Sequence, residues 1–146
     1  MSHTLTPVTS SECPCGGYRQ LTHYQACCQP YHMGQLAANP EVLMRARYSA
    51  FALQRTDFIQ RTWAAETCPA DLTGDSDTQW VALKVISSQV NPPPRQHTGS
   101  VHFKATCLDT EGRQHCLEER SRFIKRQGEW FYLDGKTKFT EVAASL

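Results

Sequence analysis

Residues 100–109 read SVHFKATCLD, in which Val101, Phe103, Ala105 and Cys107 alternate with His102, Lys104 and Thr106. A period of two sends successive side chains to opposite faces, so this is a strand with one dry face lying on a core and one wet face. Working outward, Arg113 to Arg126 reads as the next strand. Gln127-Gly128 then turns the chain into a last strand, Glu129 to Asp134, as a hairpin, with Asp134-Gly135 closing the following turn. On the other side, Trp80, Ala82 and Ile86 interleave with Val81, Leu83 and Val85, a nearly all-apolar run that predicts a strand buried on both faces. Asn91-Pro92-Pro93-Pro94 cannot continue a ladder and separates this run from the strand at residue 100.

Helices precede the strands. Asn39, Pro40 and Glu41 have the chemistry of a cap, a first helical residue and an acid in the first turn, and good helix formers continue to Gln54. Leu43, Ala46, Ala50 and Leu53 fall on one face, which is predicted to be core. A second helix is expected from Thr56 or Asp57, carrying Phe58, Ile59 and Trp63 and ending before Cys68-Pro69. Helices followed by an antiparallel meander make an α+β layout.

The chain of 146 residues, 40% apolar and 20% charged, has room for one ordinary core and a small appendage. A net charge of +1 gives no global field toward nucleic acid or anionic membrane, so any such binding must come from a local patch. Met1 to Ser11 lacks a basic start followed by an apolar run, and no stretch approaches the roughly 20 apolar residues of a membrane span. These features predict a soluble, cytoplasmic protein.

Four of the seven cysteines, Cys13, Cys15, Cys27 and Cys28, sit within one short segment, whereas Cys68, Cys107 and Cys116 are scattered. In a reducing compartment a cluster points to a metal rather than to disulfides, and the scattered three are expected to be ordinary buried thiols. Four thiolates satisfy one zinc ion tetrahedrally with no open position, which makes such a site structural; they serve iron as well. Gly16-Gly17 lets the backbone turn so that its amides can face sulfur. His23 and His32 flank the pair, and either could replace one sulfur.

Cys13-Pro14-Cys15-Gly16 with Cys27-Cys28 resembles the SEC-C motif, best known as the zinc-binding tail of the SecA translocation ATPase. Beyond it, Leu43 to Phe51, Thr62-Trp63, Glu119 to Phe123 and Trp130 to Gly135 together resemble the YchJ-like family of small bacterial proteins. The resemblance implies a zinc-binding segment over residues 1–34. It also implies a nuclear transport factor 2-like domain over residues 35–146, a curved antiparallel sheet wrapped against helices to form a cone with a pocket. Eleven residues separate Cys15 from Cys27, a longer loop than is usual in the motif. No second copy of the motif occurs, which implies a single ion.

In the third strand Leu117, Glu119, Ser121 and Phe123 share one face, with Glu118, Arg120, Arg122 and Ile124 on the other. Glu119 is thus the candidate catalytic residue, a carboxylate among apolar neighbours. A structural ion pair with Arg45 or Arg47 is the blander expectation. Arg45, Arg47, Tyr48, Phe51, Trp63, Glu119, Trp130 and Tyr132 are the candidate pocket residues, although aromatic side chains at such spacings are more often core. Arg120 and Arg122 are expected on a solvated face. No nucleophile pair, phosphate loop, dinucleotide fingerprint or paired-carboxylate motif is present.

The function expected is therefore an interaction or small-ligand-binding module, with the zinc knuckle as a surface for a protein partner, as the resemblance to the SecA tail implies. The alternative is a small hydrolase or isomerase using Glu119. Only Arg19 lies between Cys13 and Cys28 as a cation, so nucleic acid is not an expected partner of this chain.

Overall fold

The computed structural model describes residues 11–72 and 77–142; the sequence reading of the first residues, 1–10, lies outside the described residues. Helices α1 (Gln29–His32), α2 (Pro40–Ala52) and α3 (Thr56–Arg61) are followed by strands β1 (Gln79–Val90), β2 (Thr98–Leu108), β3 (Gln114–Arg126) and β4 (Glu129–Glu141). The strands form one antiparallel meander in the order β1-β2-β3-β4, so the α+β class holds. No helix among the described residues is long and apolar enough to cross a membrane.

Helix α2 begins as its sequence demands: the Asn39 side chain accepts a bond from the Val42 amide at 2.9 Å, and Pro40 occupies the first turn. Leu43, Ala46 and Ala50 are buried, but Leu53 is exposed, because the helix ends at Ala52. Pro40 lies directly on β2 at Gly99, where an added methyl would stand 2.7 Å from the proline ring and 2.8 Å from the Gln89 carbonyl. Glycine here sets how closely helix and sheet approach. Helix α3 stops at Arg61, so Trp63 lies beyond it, in an isolated bridge with Tyr132 that ties this segment to β4.

Strand β2 follows the predicted alternation, with Gly99, Val101, Phe103, Ala105 and Cys107 buried. Cys68 and Cys116, in contrast, are only half-buried. Strand β1 is not buried on both faces. It is an edge strand whose register skips at Val81 and Ile86; both are exposed, and only Trp80, Leu83 and Val85 turn partly inward. An edge strand has one neighbour, and bulges turn its extra residues out of the ladder.

The last strand also differs from the expectation. It runs through Asp134-Gly135 to Glu141, because a bulge at Leu133 re-phases it: Tyr132 faces Phe123, Asp134 faces Arg122 and Gly135 faces Ser121. The Gln127-Gly128 hairpin is as predicted, with both residues at positive φ. Arg120 and Arg122 are exposed, as expected, and Arg122 also makes a bidentate pair with Asp134, 2.7 and 2.6 Å.

Candidate metal centre and cavity

The sulfurs of Cys13, Cys15, Cys27 and Cys28 all lie within 4.8 Å of one another, and all four residues are buried. Two elements bring them together. Cys13 and Cys15 precede a tight hairpin in which Tyr18 and Leu21 exchange two 3.0 Å backbone bonds around Arg19 and Gln20, both at positive φ. Cys27 and Cys28 lead into α1. Gly17 takes φ +98°, which lets its amide donate to the Cys15 sulfur at 3.3 Å.

The donor set fits a metal. Four thiolates at 2.3 Å from one ion would be about 3.8 Å apart at the corners of a tetrahedron. The Cys15–Cys27 and Cys27–Cys28 separations of 3.5 and 4.0 Å bracket that value. The bonds that Cys13 accepts from Cys15 and Cys28 hold its thiol well below the ordinary thiol range. Burial pushes Cys27 up to about 12, and Cys28 is raised first by its bond to Cys13. Sulfurs so close do not carry four charges by themselves; a cation makes the four thiolates compatible.

Helix α2 supplies the floor of this cluster. Ser49, fully buried, places its hydroxyl 3.2 Å from the Cys28 sulfur and 3.4 Å from that of Cys13. Arg45 donates through one Nη1 to the carbonyls of Cys15 and Gly17, both 3.1 Å, while its Nε pairs with Glu41 at 3.0 Å. His32 contacts the Ala46 carbonyl through Nε2 at 2.8 Å and the Tyr24 hydroxyl through Nδ1 at 2.7 Å. A carbonyl can only accept, so Nε2 carries the proton and Nδ1 accepts from Tyr24. Both ring nitrogens are thereby occupied, so His32 does not replace a sulfur in the cluster. His23 lies in a bridge with Glu12, outside the sulfur cluster.

On the other side of α2 is a cavity of about 210 Å³ between helix and sheet. Arg47, Tyr48, Phe51, Trp63, Glu119 and Tyr132 line it, together with Met44, Trp80, Phe103, Leu117, Ser121 and Phe123. Two of the candidate pocket residues lie elsewhere. Arg45 is bound to the cysteine segment, because two residues along a helix amount to about 200° of rotation from Arg47. Trp130 is packed at the start of α2 near Gly99 and forms part of the core. Met44, Trp80, Phe103, Leu117, Ser121 and Phe123 lie outside the candidate set, although Leu117, Ser121 and Phe123 share the Glu119 face in the alternation.

Glu119, buried at 8% exposure, accepts bonds on Oε2 from the Ser121 hydroxyl and the Tyr132 hydroxyl, each 2.7 Å. It makes no ion pair with Arg45 or Arg47. Arg47 is itself buried; its Nη1 donates to the Ile59 carbonyl at 2.9 Å and to Thr62 Oγ1 at 2.7 Å, and its guanidinium lies over the rings of Tyr132 and Trp63 at 4.5 and 5.0 Å. Burial lowers the Arg47 pKa to about 10, against the pull of Tyr132 and Glu119. Burial, and then the neighbouring Glu119, raise that of Tyr132. Gly135 makes room for the carboxylate: a Cβ there would stand 2.8 Å from Glu119 Cδ, with Oε2 nearer still. Within the cavity wall, Tyr48 OH and Trp63 Nε1 are shut off from solvent without a hydrogen-bond partner, and burial pushes the Tyr48 hydroxyl up to about 12.

Residues 39–135, which hold the cavity, match the family described as YchJ, middle NTF2-like domain. The chain belongs to the YchJ-like family. It is 40% identical over 123 residues to a UPF0225 protein of Deinococcus radiodurans, covering 84% of this chain and 86% of that one. The solution structure of a SEC-C motif containing protein from Rhodopseudomonas palustris superposes with a TM-score of 0.71 at 31% identity, over 86% of this chain and 98% of the other. The crystal structure of a SEC-C motif containing protein from Psychrobacter arcticus gives 0.72 at 26% identity, over 94% and 87%. This YchJ-like chain thus has the nuclear transport factor 2-like fold, with a four-cysteine cluster of the SEC-C kind at its amino-terminal side.

Proposed function

We propose that this YchJ-like chain is a zinc-holding interaction module of the cytoplasm, in which Cys13, Cys15, Cys27 and Cys28 bind one structural zinc ion as four thiolates. The convergence of those four sulfurs on the floor supplied by Ser49 carries the reading. A closed four-thiolate ion has no position for substrate, so its work is to rigidify the segment that a protein partner meets. The cavity on the opposite side of α2 holds a small, mainly apolar ligand: its walls are aromatic and aliphatic, and its polar groups are Arg47 and the bonded set of Glu119, Ser121 and Tyr132. Native mass spectrometry of the intact chain purified gently from its own cytosol tests both halves. One zinc per chain and a retained small molecule are expected; absence of stoichiometric metal refutes the first half, and an empty chain the second.

A second reading rests on one observation, the buried carboxylate of Glu119 with Tyr132 and Ser121 bonded to a single oxygen. Such a group could act as the general base of a small hydrolase or isomerase. Glu119→Gln decides: loss of turnover of the retained molecule with the fold intact supports catalysis, while unchanged chemistry leaves the residue as a binding group.

A further inference from the structure

The pairing register defines a second surface, on the side of the sheet away from the cavity. One row across the strands sets Lys84 beside Lys104, Lys104 beside Glu118 and Glu118 beside Lys138. The next sets His102 beside Arg120 and Arg120 beside Lys136, and Arg122 with Asp134 follows. All six Lys and Arg side chains are exposed. These three rows hold six of the 15 Lys and Arg of the chain but only two of its 14 Asp and Glu, a concentration that the net charge of +1 conceals; Arg126 opposite Glu129 follows at the end of the same face.

The two acids offset only part of it, leaving four positive charges in excess over the three rows. Asp134 is taken by Arg122, and Glu118 by His102 at 2.7 Å. Lys84, Lys104, Arg120, Lys136 and Lys138 form no ion pair within 4.0 Å among the described residues. Like charges directly opposite each other on neighbouring strands destabilise a sheet, yet Lys84 stands opposite Lys104 and Arg120 opposite Lys136. Glu118 is interleaved between Lys104 and Lys138, whereas a face serving solubility alone would place an acid at the other two contacts as well.

We propose that this outer face binds the phosphodiester backbone of nucleic acid, without reading sequence. Strands about 4.8 Å apart and alternate residues about 7 Å apart spread the five cations over a plane about 14 Å wide, suited to several successive phosphates. Ala82, Thr106, Cys116 and Thr140 stand among them. Ile124 and Phe131 lie on the same face beyond Arg122 but are half-buried. The rows that carry the five cations hold no large apolar side chain and no Phe, Tyr or Trp, so the chemistry favours a phosphate backbone over a membrane or a base-reading mode.

The test measures fluorescence anisotropy of a labelled oligouridine RNA of about 12 nucleotides with the full, zinc-loaded chain across a salt series. Five phosphate contacts predict a slope of log K against log salt of about −3.5 for a single strand. Lys104→Gln with Lys138→Gln should reduce this to about −2 while the thermal midpoint holds or rises, since the Lys84–Lys104 repulsion is relieved. Arg95→Gln with Lys125→Gln, off this face, should leave the slope unchanged. Absence of salt-dependent binding, equal slopes for the face and control variants, or retention on phosphatidylserine vesicles without RNA binding would each overturn the proposal.

Discussion

Gly135→Ala is expected to unsettle the cavity by displacing one buried carboxylate. The added methyl carbon would stand 2.8 Å from Glu119 Cδ and 2.9 Å from its Cγ, where non-bonded carbons settle at about 3.5–4.0 Å. The side chain must therefore recede by about 1 Å. Two O–H···O bonds of 2.7 Å from Ser121 and Tyr132 then stretch to about 3.5 Å, outside hydrogen-bond range. Bonds to a charged group are worth about 1.5–3 kcal/mol each, and a swing of the carboxylate can keep part of one. Alanine recovers about 0.5–1 kcal/mol over glycine in a strand. The net cost is about 2–3 kcal/mol, a fall of about 5–10 °C in thermal midpoint for a chain of this size. Urea unfolding of Gly135→Ala, Glu119→Ala and the double variant isolates the cause. With the carboxylate gone, the Gly135 substitution should be neutral or mildly stabilising, giving a coupling energy of about 2–3 kcal/mol. Equal cost in both backgrounds, within about 0.5 kcal/mol, would show that Gly135 is glycine for some other reason.

Three further outcomes follow from the geometry. Ser49→Ala removes the hydroxyl beside Cys28 and Cys13 and should weaken metal affinity about 10–100-fold, read by competition with a chromophoric chelator; unchanged affinity would leave Ser49 a packing residue. Gly99→Ala forces the Pro40 end of α2 off β2, where the Gln89 carbonyl cannot yield, and should cost about 1–3 kcal/mol in denaturant unfolding. Burial lowers the His32 pKa below 6.5, so the unfolded chain binds the proton that the folded chain refuses. The stability attributable to His32 is complete above pH 6.5 and declines as pH falls below it. A nitrogen-15 titration should give His32 a midpoint below 6.5 and a neutral ring protonated at Nε2, and a midpoint at or above 6.5 would contradict the assignment.

The parts of the fold that local chemistry governs were legible in the sequence. The cap at Asn39, the alternation of residues 100–109 and the Gln127-Gly128 hairpin depend on near neighbours, and the cysteine cluster declares itself by residue type and by its likeness to SEC-C. Asp134-Gly135 misled because it is a strong local turn signal; the ladder with β3 and the bulge at Leu133 carry the strand past it. Gly135 owes its identity to Glu119 on the neighbouring strand, a cause that no local window contains. The separation of Arg45 from Arg47 was present in the helical angle. The exposed face of β1 was not, since a short apolar run reads the same at a sheet edge as at its centre.

Helix α2 joins the two candidate sites. Arg45, Ala46 and Ser49 hold the cysteine segment, while Met44, Arg47, Tyr48 and Phe51 form the wall of the cavity. A helix of 13 residues that touches both cannot reposition one face without turning the other. The cysteine segment, with few regular elements of its own, would be held loosely if no ion bridged its four sulfurs. His32, Arg45 and Ser49 would then lose their geometry against the helix, and the orientation that places Arg47 between Trp63 and Tyr132 would be held by the sheet side alone. The cysteine cluster and the cavity are therefore joined mechanically through one helix, and occupancy of either site should stiffen the other.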